Sequence, residues 1–157
     1  MFTIREDDLG GEQTRRLLAL HLAGMQANSP AESVFALDLS GLQDPRVTVW
    51  SAWDGDTIAS IGALKALGDG TGEVKSMRTA PGFERRGAAA QLLETIIEAA
   101  KAQGMTRLSL ETGSGSSFEP ALALYRKRGF ESCGAFSDYV ASEFNQFFCL
   151  ELDRGEV

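Results

Sequence analysis

Arg85 and Arg86 stand directly before Gly87 and a run of small residues, Ala88-Ala89-Ala90. Glycine and alanine let a ligand approach the backbone closely. A helix starting there aims unpaired N–H groups and a positive dipole end at that ligand. The chemistry this segment suits is the holding of an anion, a phosphate group above all. Other reactive side chains offer less. His21 is the sole histidine, and Cys133 and Cys149 are separated by fifteen residues with no CxxC pair. Neither a zinc site nor a Cys–His nucleophile pair is expected, so no metal is assigned. The two cysteines are read as buried, reduced thiols.

The elements that must position the anion loop can be read from periodicity. A strand over Glu73–Thr79 leads to a Pro81-Gly82 turn, and the helix after the loop carries Ala89, Leu92, Leu93, Ile96, Ile97 and Ala100 on one face. Gly104 stops this helix, and Thr106–Glu111 alternates as the next strand. Strand, helix and strand form a βαβ unit, whose two strands should be parallel. Upstream lie a short strand at Phe2–Arg5, a helix over Glu12–Ala27 and strands at Val47–Trp53 and Thr57–Leu67, the last two joined by Asp54-Gly55-Asp56. Residues 31–45 read as a short helix followed by a loop. Downstream come a loop at Thr112–Ser117, a helix over Phe118–Arg128 and strands at Phe130–Gly134 and Gln146–Leu152. The expected class is α/β in the mixed-sheet sense, as one domain over residues 1–157.

Composition narrows the function. The chain has 157 residues, 43% hydrophobic and 24% charged, which is enough for a sizeable core in a soluble protein. No apolar run reaches the ~20 residues of a membrane span, and the acidic N-terminus lacks signal-peptide character, so a cytoplasmic location is expected. A net charge of −7 argues against general nucleic-acid binding.

Four segments in register resemble the GNAT N-acetyltransferases. They are Val74-Lys75-Ser76-Met77-Arg78-Thr79-Ala80-Pro81, Phe83-Glu84-Arg85-Arg86-Gly87-Ala88-Ala89-Ala90-Gln91-Leu92-Leu93, Leu108-Ser109-Leu110-Glu111 and Ala121-Leu122-Ala123-Leu124-Tyr125-Arg126-Lys127-Arg128-Gly129-Phe130. The resemblance implies a mixed central sheet flanked by helices. It also implies transfer of an acetyl group from acetyl-CoA to an amine, with Arg85, Arg86, Gly87, Ala88, Ala89 and Ala90 at the cofactor pyrophosphate. Two positions depart from the family pattern. Glu84 stands at the Gln/Arg position of the loop, so its carboxylate should turn away and leave recognition to backbone N–H groups. Phe118 replaces the asparagine that meets the pantetheine arm in many members.

The same resemblance places that arm along Met77, Arg78 and Thr79, in a gap between two splayed strands. It makes Tyr125 the proton donor to the leaving thiol; a phenol with a pKa of ~10 keeps its proton at neutral pH. Glu73 and Glu111, on the strands flanking the gap, are the candidate bases. Asp38, Lys75, Arg78, Asp138 and Tyr139 are candidate acceptor contacts, and strict alternation puts Lys75 and Arg78 on opposite faces. The reading favours a small-molecule amine as acceptor. A protein N-terminus or lysine, or a non-catalytic acyl-CoA binding module, are the alternatives. A homodimer through an apolar edge at Gln146–Leu152 is a further expectation.

Overall fold

The structure, a computed structural model, describes residues 2–30, 38–137 and 139–152. Seven strands form one sheet: β1 (Thr3–Glu6), β2 (Val47–Asp54), β3 (Thr57–Ala66), β4 (Thr71–Thr79), β5 (Arg107–Thr112), β6 (Glu131–Ser132) and β7 (Gln146–Glu151). Their spatial order is β1-β2-β3-β4-β5-β7-β6. Every neighbouring pair is antiparallel except β4–β5, which the intervening helix makes parallel.

Helices cover both faces. On one side α3 (Ala88–Ala102) buries the stripe Leu92, Leu93, Ile96, Ile97 and Ala100 against Leu64, Val74, Leu108 and Leu110. Full burial of each such leucine or isoleucine contributes about 1.5–3 kcal/mol before ordering entropy is counted. Helix α4 (Glu119–Arg128) joins the same cluster through Leu122 and Tyr125, with Pro120 in its first turn and Gly129, at φ 109°, ending it. On the other side α1 (Glu12–Asn28) turns Thr14, Leu17, Leu18 and His21 inward, the i, i+3, i+4, i+7 spacing of one helical stripe. Leu17 and Leu18 meet Trp53, Ile61 and Ala63 there. The one-turn helix α2 (Leu39–Leu42) packs near β2; residues 31–37 of the segment expected to be short helix and loop lie outside the described residues. Among the described residues no helix is long and apolar enough to cross a membrane.

Two expectations are corrected at the C-terminal end. Cys133 and Cys149 are not buried reduced thiols: they form a disulfide, and both are only half-buried. The reason is the β6–β7 pairing, Glu131 opposite Cys149 and Ser132 opposite Phe148, with the Cys133 N–H donating to the Phe147 carbonyl. This brings the two Cα atoms to 6.0 Å. Strand β7 is also no bare edge, since β5 lies on one side and β6 covers Phe148 and Cys149 on the other. The edge invoked for a homodimer is therefore partly occupied by this chain itself.

Candidate active site

The parallel ladder between β4 and β5 is short. It pairs Thr71 with Arg107, Gly72 with Leu108 and Glu73 with Ser109, and goes no further. Beyond Glu73, β4 stays with β3 as far as Thr79, while β5 stays with β7 as far as Thr112. Two strands that each keep their outer partner must part in the middle. The β4 edge from Val74 to Thr79 thus faces the gap with no β5 partner, a row of peptide groups open to an amide-bearing ligand.

A bulge sits within that edge. Ala63 faces Lys75 and Ile61 faces Arg78, so the single residue Gly62 lies opposite both Ser76 and Met77. Ser76 takes the left-handed conformation at φ 60°, and its buried hydroxyl has no hydrogen-bond partner. The Met77 side chain turns toward α3, where its Sδ would lie 2.4 Å from a Cβ added to Gly62. Glycine is the residue that leaves this space. The extra residue also corrects the expected alternation. Ala63 and Ile61 share one face of β3, so their partners Lys75 and Arg78 share one face of β4 rather than pointing oppositely.

That common face carries a polar cluster. Lys75 Nζ donates to Glu73 Oε2 at 3.1 Å and bonds the Tyr139 hydroxyl at 2.8 Å, while the Tyr139 hydroxyl donates to Glu73 Oε2. The Glu73 and Lys75 side chains are only 3% and 9% exposed. Tyr139 is held by edge-on or tilted contacts with Phe136 and Phe147, the latter directly opposite Glu111 on the neighbouring strand. Glu111 is half-buried, and desolvation together with the Glu73 charge raises its pKa to about 7, against the opposing pull of Lys75. Burial and the neighbouring carboxylates push the Tyr139 hydroxyl far above the ordinary phenol range. A carboxyl group poised near neutrality beside an open strand edge is suited to exchanging a proton with a bound amine.

Arg78 lies further along this face. Its Nε donates to His21 Nδ1 at 3.1 Å and its Nη2 to the His21 carbonyl at 3.3 Å. His21, read from sequence as a core or boundary histidine, is buried but also meets this face. Burial, then the nearby Arg78 and Lys75 charges, lowers its pKa to about 4, so the ring is neutral and can accept at Nδ1.

The remaining assigned residues divide. Tyr125 is 6% exposed in the α3-side core, its ring 5.6 Å from Phe130, and burial raises its pKa well above the phenol range, so its proton is retained. Phe118 packs edge-on against Phe144 and beside Gly113. Asp38 caps α2, its carboxylate accepting from the Gly41 N–H at 2.9 Å and the Ser40 hydroxyl at 3.0 Å, and among the described residues no hydrogen bond or ion pair joins it to the cluster. Asp138 lies outside the described residues.

The loop after β4 takes the form its residues suggest. Gly87 is the N-cap of α3 at φ 92°, where glycine is favoured, and no side chain caps the helix. The first α3 N–H groups, at Ala88, Ala89 and Ala90, are thus left for an anion. Glu84 folds back so that its Oε1 accepts from the Gly82 N–H at 2.8 Å, removing the carboxylate from the helix entrance. Arg86 leans over the Phe83 ring at 4.9 Å with Asp54 at 3.7 Å, and both Arg85 and Arg86 are exposed. An uncapped helix start beside an open strand edge fits a molecule carrying both phosphates and amides, as coenzyme A does.

Sheet order, parted strands and uncapped helix entrance define an acyl-CoA N-acyltransferase architecture. The sequence profile of the Acetyltransferase (GNAT) family matches residues 14–130, and the chain belongs to that family. It is 52% identical over 149 residues to the uncharacterised N-acetyltransferase YsnE of Bacillus subtilis (strain 168), covering 95% of this chain and 99% of that one. It is 47% identical over 152 residues to the uncharacterised N-acetyltransferase YedL of Escherichia coli (strain K12), covering 97% and 96%. Its fold superimposes with a TM-score of 0.70 on a GNAT family acetyltransferase from Elizabethkingia anophelis with acetyl-CoA bound, at 22% identity and 96% and 98% coverage. The protein is an acetyl-CoA-dependent N-acetyltransferase.

Proposed function

We propose that residues 1–157 act as one domain that transfers the acetyl group to the primary amine of a small molecule by direct attack within a ternary complex. The observation that carries this reading is the convergence of Glu73, Lys75, Glu111 and Tyr139 at the mouth of the β4–β5 gap, with one carboxyl group near pKa 7. Aromatic residues crowd this mouth, which suits a small acceptor better than a polypeptide. Acetyl-CoA supplies the activated thioester. The backbone of Arg85, Arg86, Gly87, Ala88, Ala89 and Ala90 holds its phosphates, and the Met77–Thr79 edge lines its amide arm. Glu111 takes the proton from the bound ammonium so that the nitrogen lone pair is free to attack. A backbone N–H at the bulge near Met77 steadies the negative charge that gathers on the carbonyl oxygen. Tyr125 would give a proton to the departing sulfur as the C–S bond breaks, and would recover the second proton that the nitrogen sheds on becoming an amide. Glu73, fixed by Lys75 and Tyr139, orders the site and raises the proton affinity of Glu111.

Thiol release from acetyl-CoA, followed across a panel of primary amines, tests the reading. Stimulation by small amines is expected, and Tyr125→Phe should lower kcat by roughly 10- to 1,000-fold. No stimulation by any amine would refute the transfer; an unchanged rate in the variant would remove the tyrosine from the mechanism.

A further inference from the structure

Arg78 is a half-buried cation whose side-chain hydrogen-bond partner among the described residues, His21, is neutral. On the same face of β4, Lys75 is matched by Glu73. Arg78 is half-buried, and among the described residues no carboxylate lies within ion-pair distance of it. Leaving a partly desolvated charge without a counter-ion costs stability, so such a group is kept where an anion completes it. The immediate surroundings are shaped to the guanidinium. His21 and Gly24, one helical turn apart on α1, both meet it, and a Cβ at Gly24 would lie 2.7 Å from Nη2. The imidazole takes Nε and the His21 carbonyl takes one Nη2 hydrogen, which fixes the plane of the group without cancelling its charge. Among the described residues the Nη1 hydrogens and the other Nη2 hydrogen have no hydrogen-bond partner, and Gly24, whose added Cβ would also lie 3.4 Å from Nη1, leaves room beside them because it carries no side chain. A pair of parallel N–H groups of this kind matches the two oxygens of a carboxylate.

We propose that the acceptor is an amino acid or similarly short amine bearing a carboxylate, which Arg78 binds while the amine faces the Glu73–Glu111 side of the gap. The inference rests on the transfer reading above and adds the substrate class. The register supports the size. Glu73 faces Lys65 and Arg78 faces Ile61, four residues of β3 apart or about 13 Å, and the arginine and glutamate side chains close part of that span. His21 is a positioning residue: it touches Arg78, not the ligand.

The test pairs common L-amino acids with their carboxamides and decarboxylated amines, using the whole chain. Turnover is measured with acetyl-CoA, and binding to the CoA-loaded protein by calorimetry. A preference of about 10- to 100-fold for the carboxylate member is expected, expressed mainly in KM and in the calorimetric Kd. Arg78→Gln should bring the ratio between members close to one, Arg78→Lys should restore part of it, and His21→Gln should weaken it mainly through KM. Carboxylate-selective binding that Arg78→Gln abolishes supports the inference even where no turnover is seen, in which case the transfer reading alone fails. Turnover or binding indifferent to the carboxylate overturns the inference and leaves the transfer reading standing. Absence of both binding and turnover across the panel overturns both. A selectivity that survives in Arg78→Gln overturns the assignment to this residue.

Discussion

If Glu111 takes the proton from the acceptor, the rate must follow its ionisation. Burial, opposed by the Lys75 cation and aided to a smaller extent by the Glu73 charge, places that ionisation at about pH 7 rather than in the ordinary carboxylate range. A base works only when deprotonated, so activity rises with pH. Roughly a tenth of the molecules carry the base form at pH 6 and roughly nine-tenths at pH 8, so kcat/KM should climb about tenfold over those two units and then level. Without an enzymic base, the free-amine fraction of an acceptor with a pKa above ~9 sets the slope. The rate would then rise about tenfold per unit, roughly a hundredfold from pH 6 to 8, with no plateau. Initial rates at saturating acetyl-CoA, measured every half unit, separate the two curves. Glu111→Gln should lower kcat by about 10²–10⁴-fold and erase the limb near pH 7. Glu73→Gln should shift that limb to lower pH, because it removes a neighbouring negative charge and leaves the Lys75 cation uncompensated. A Glu111→Gln enzyme that kept the limb at pH 7 would refute the assignment.

Three other outcomes concern stability. His21 has a folded pKa of about 4 against 6.5 for a free side chain, so between these values the unfolded chain binds more protons. Stability should therefore fall by about 2–3 kcal/mol between pH 7.5 and 4.5, an effect that urea titrations should find missing from His21→Gln. The disulfide joins residues 16 apart, so Cys133→Ser should cost about 3 kcal/mol and lower Tm by roughly 6–12 °C under oxidising conditions; equal Tm values would show that the bond adds nothing. Gly113→Ala places a Cβ 2.4 Å from the Phe144 ring and 2.7 Å from the Phe118 ring, and should destabilise by about 1–3 kcal/mol in a denaturant titration.

The helices and strands were legible because each carries its own period. Leu92, Leu93, Ile96 and Ile97 declare α3 without reference to any other segment, and the order of elements predicts the parallel β4–β5 pair. The polar cluster was legible in its parts, not in its bonding. Glu73 and Tyr139 are 66 residues apart, and only the path of the chain after β6 brings them together. The disulfide was hidden for the same reason, since β6 must lie beside β7 before the two cysteines can meet. The role of His21 was masked by its place on an apolar helix face, where histidine reads as core. The bulge left one signal, Gly62 inside a strand, where an isolated glycine marks a bulge or a close approach.

Strand β4 behaves as a ruler with a change of phase at Ser76. Before that point the odd positions Glu73 and Lys75 look toward α1; after it the even position Arg78 does, and Met77 passes to the α3 side. Strict alternation with Ser76 kept in the count and no bulge would exchange Arg78 with Met77, putting a guanidinium into the apolar layer beneath α3. Which ligand each side chain of β4 meets is thus set by where one uncounted residue falls, as much as by the identity of the residues themselves.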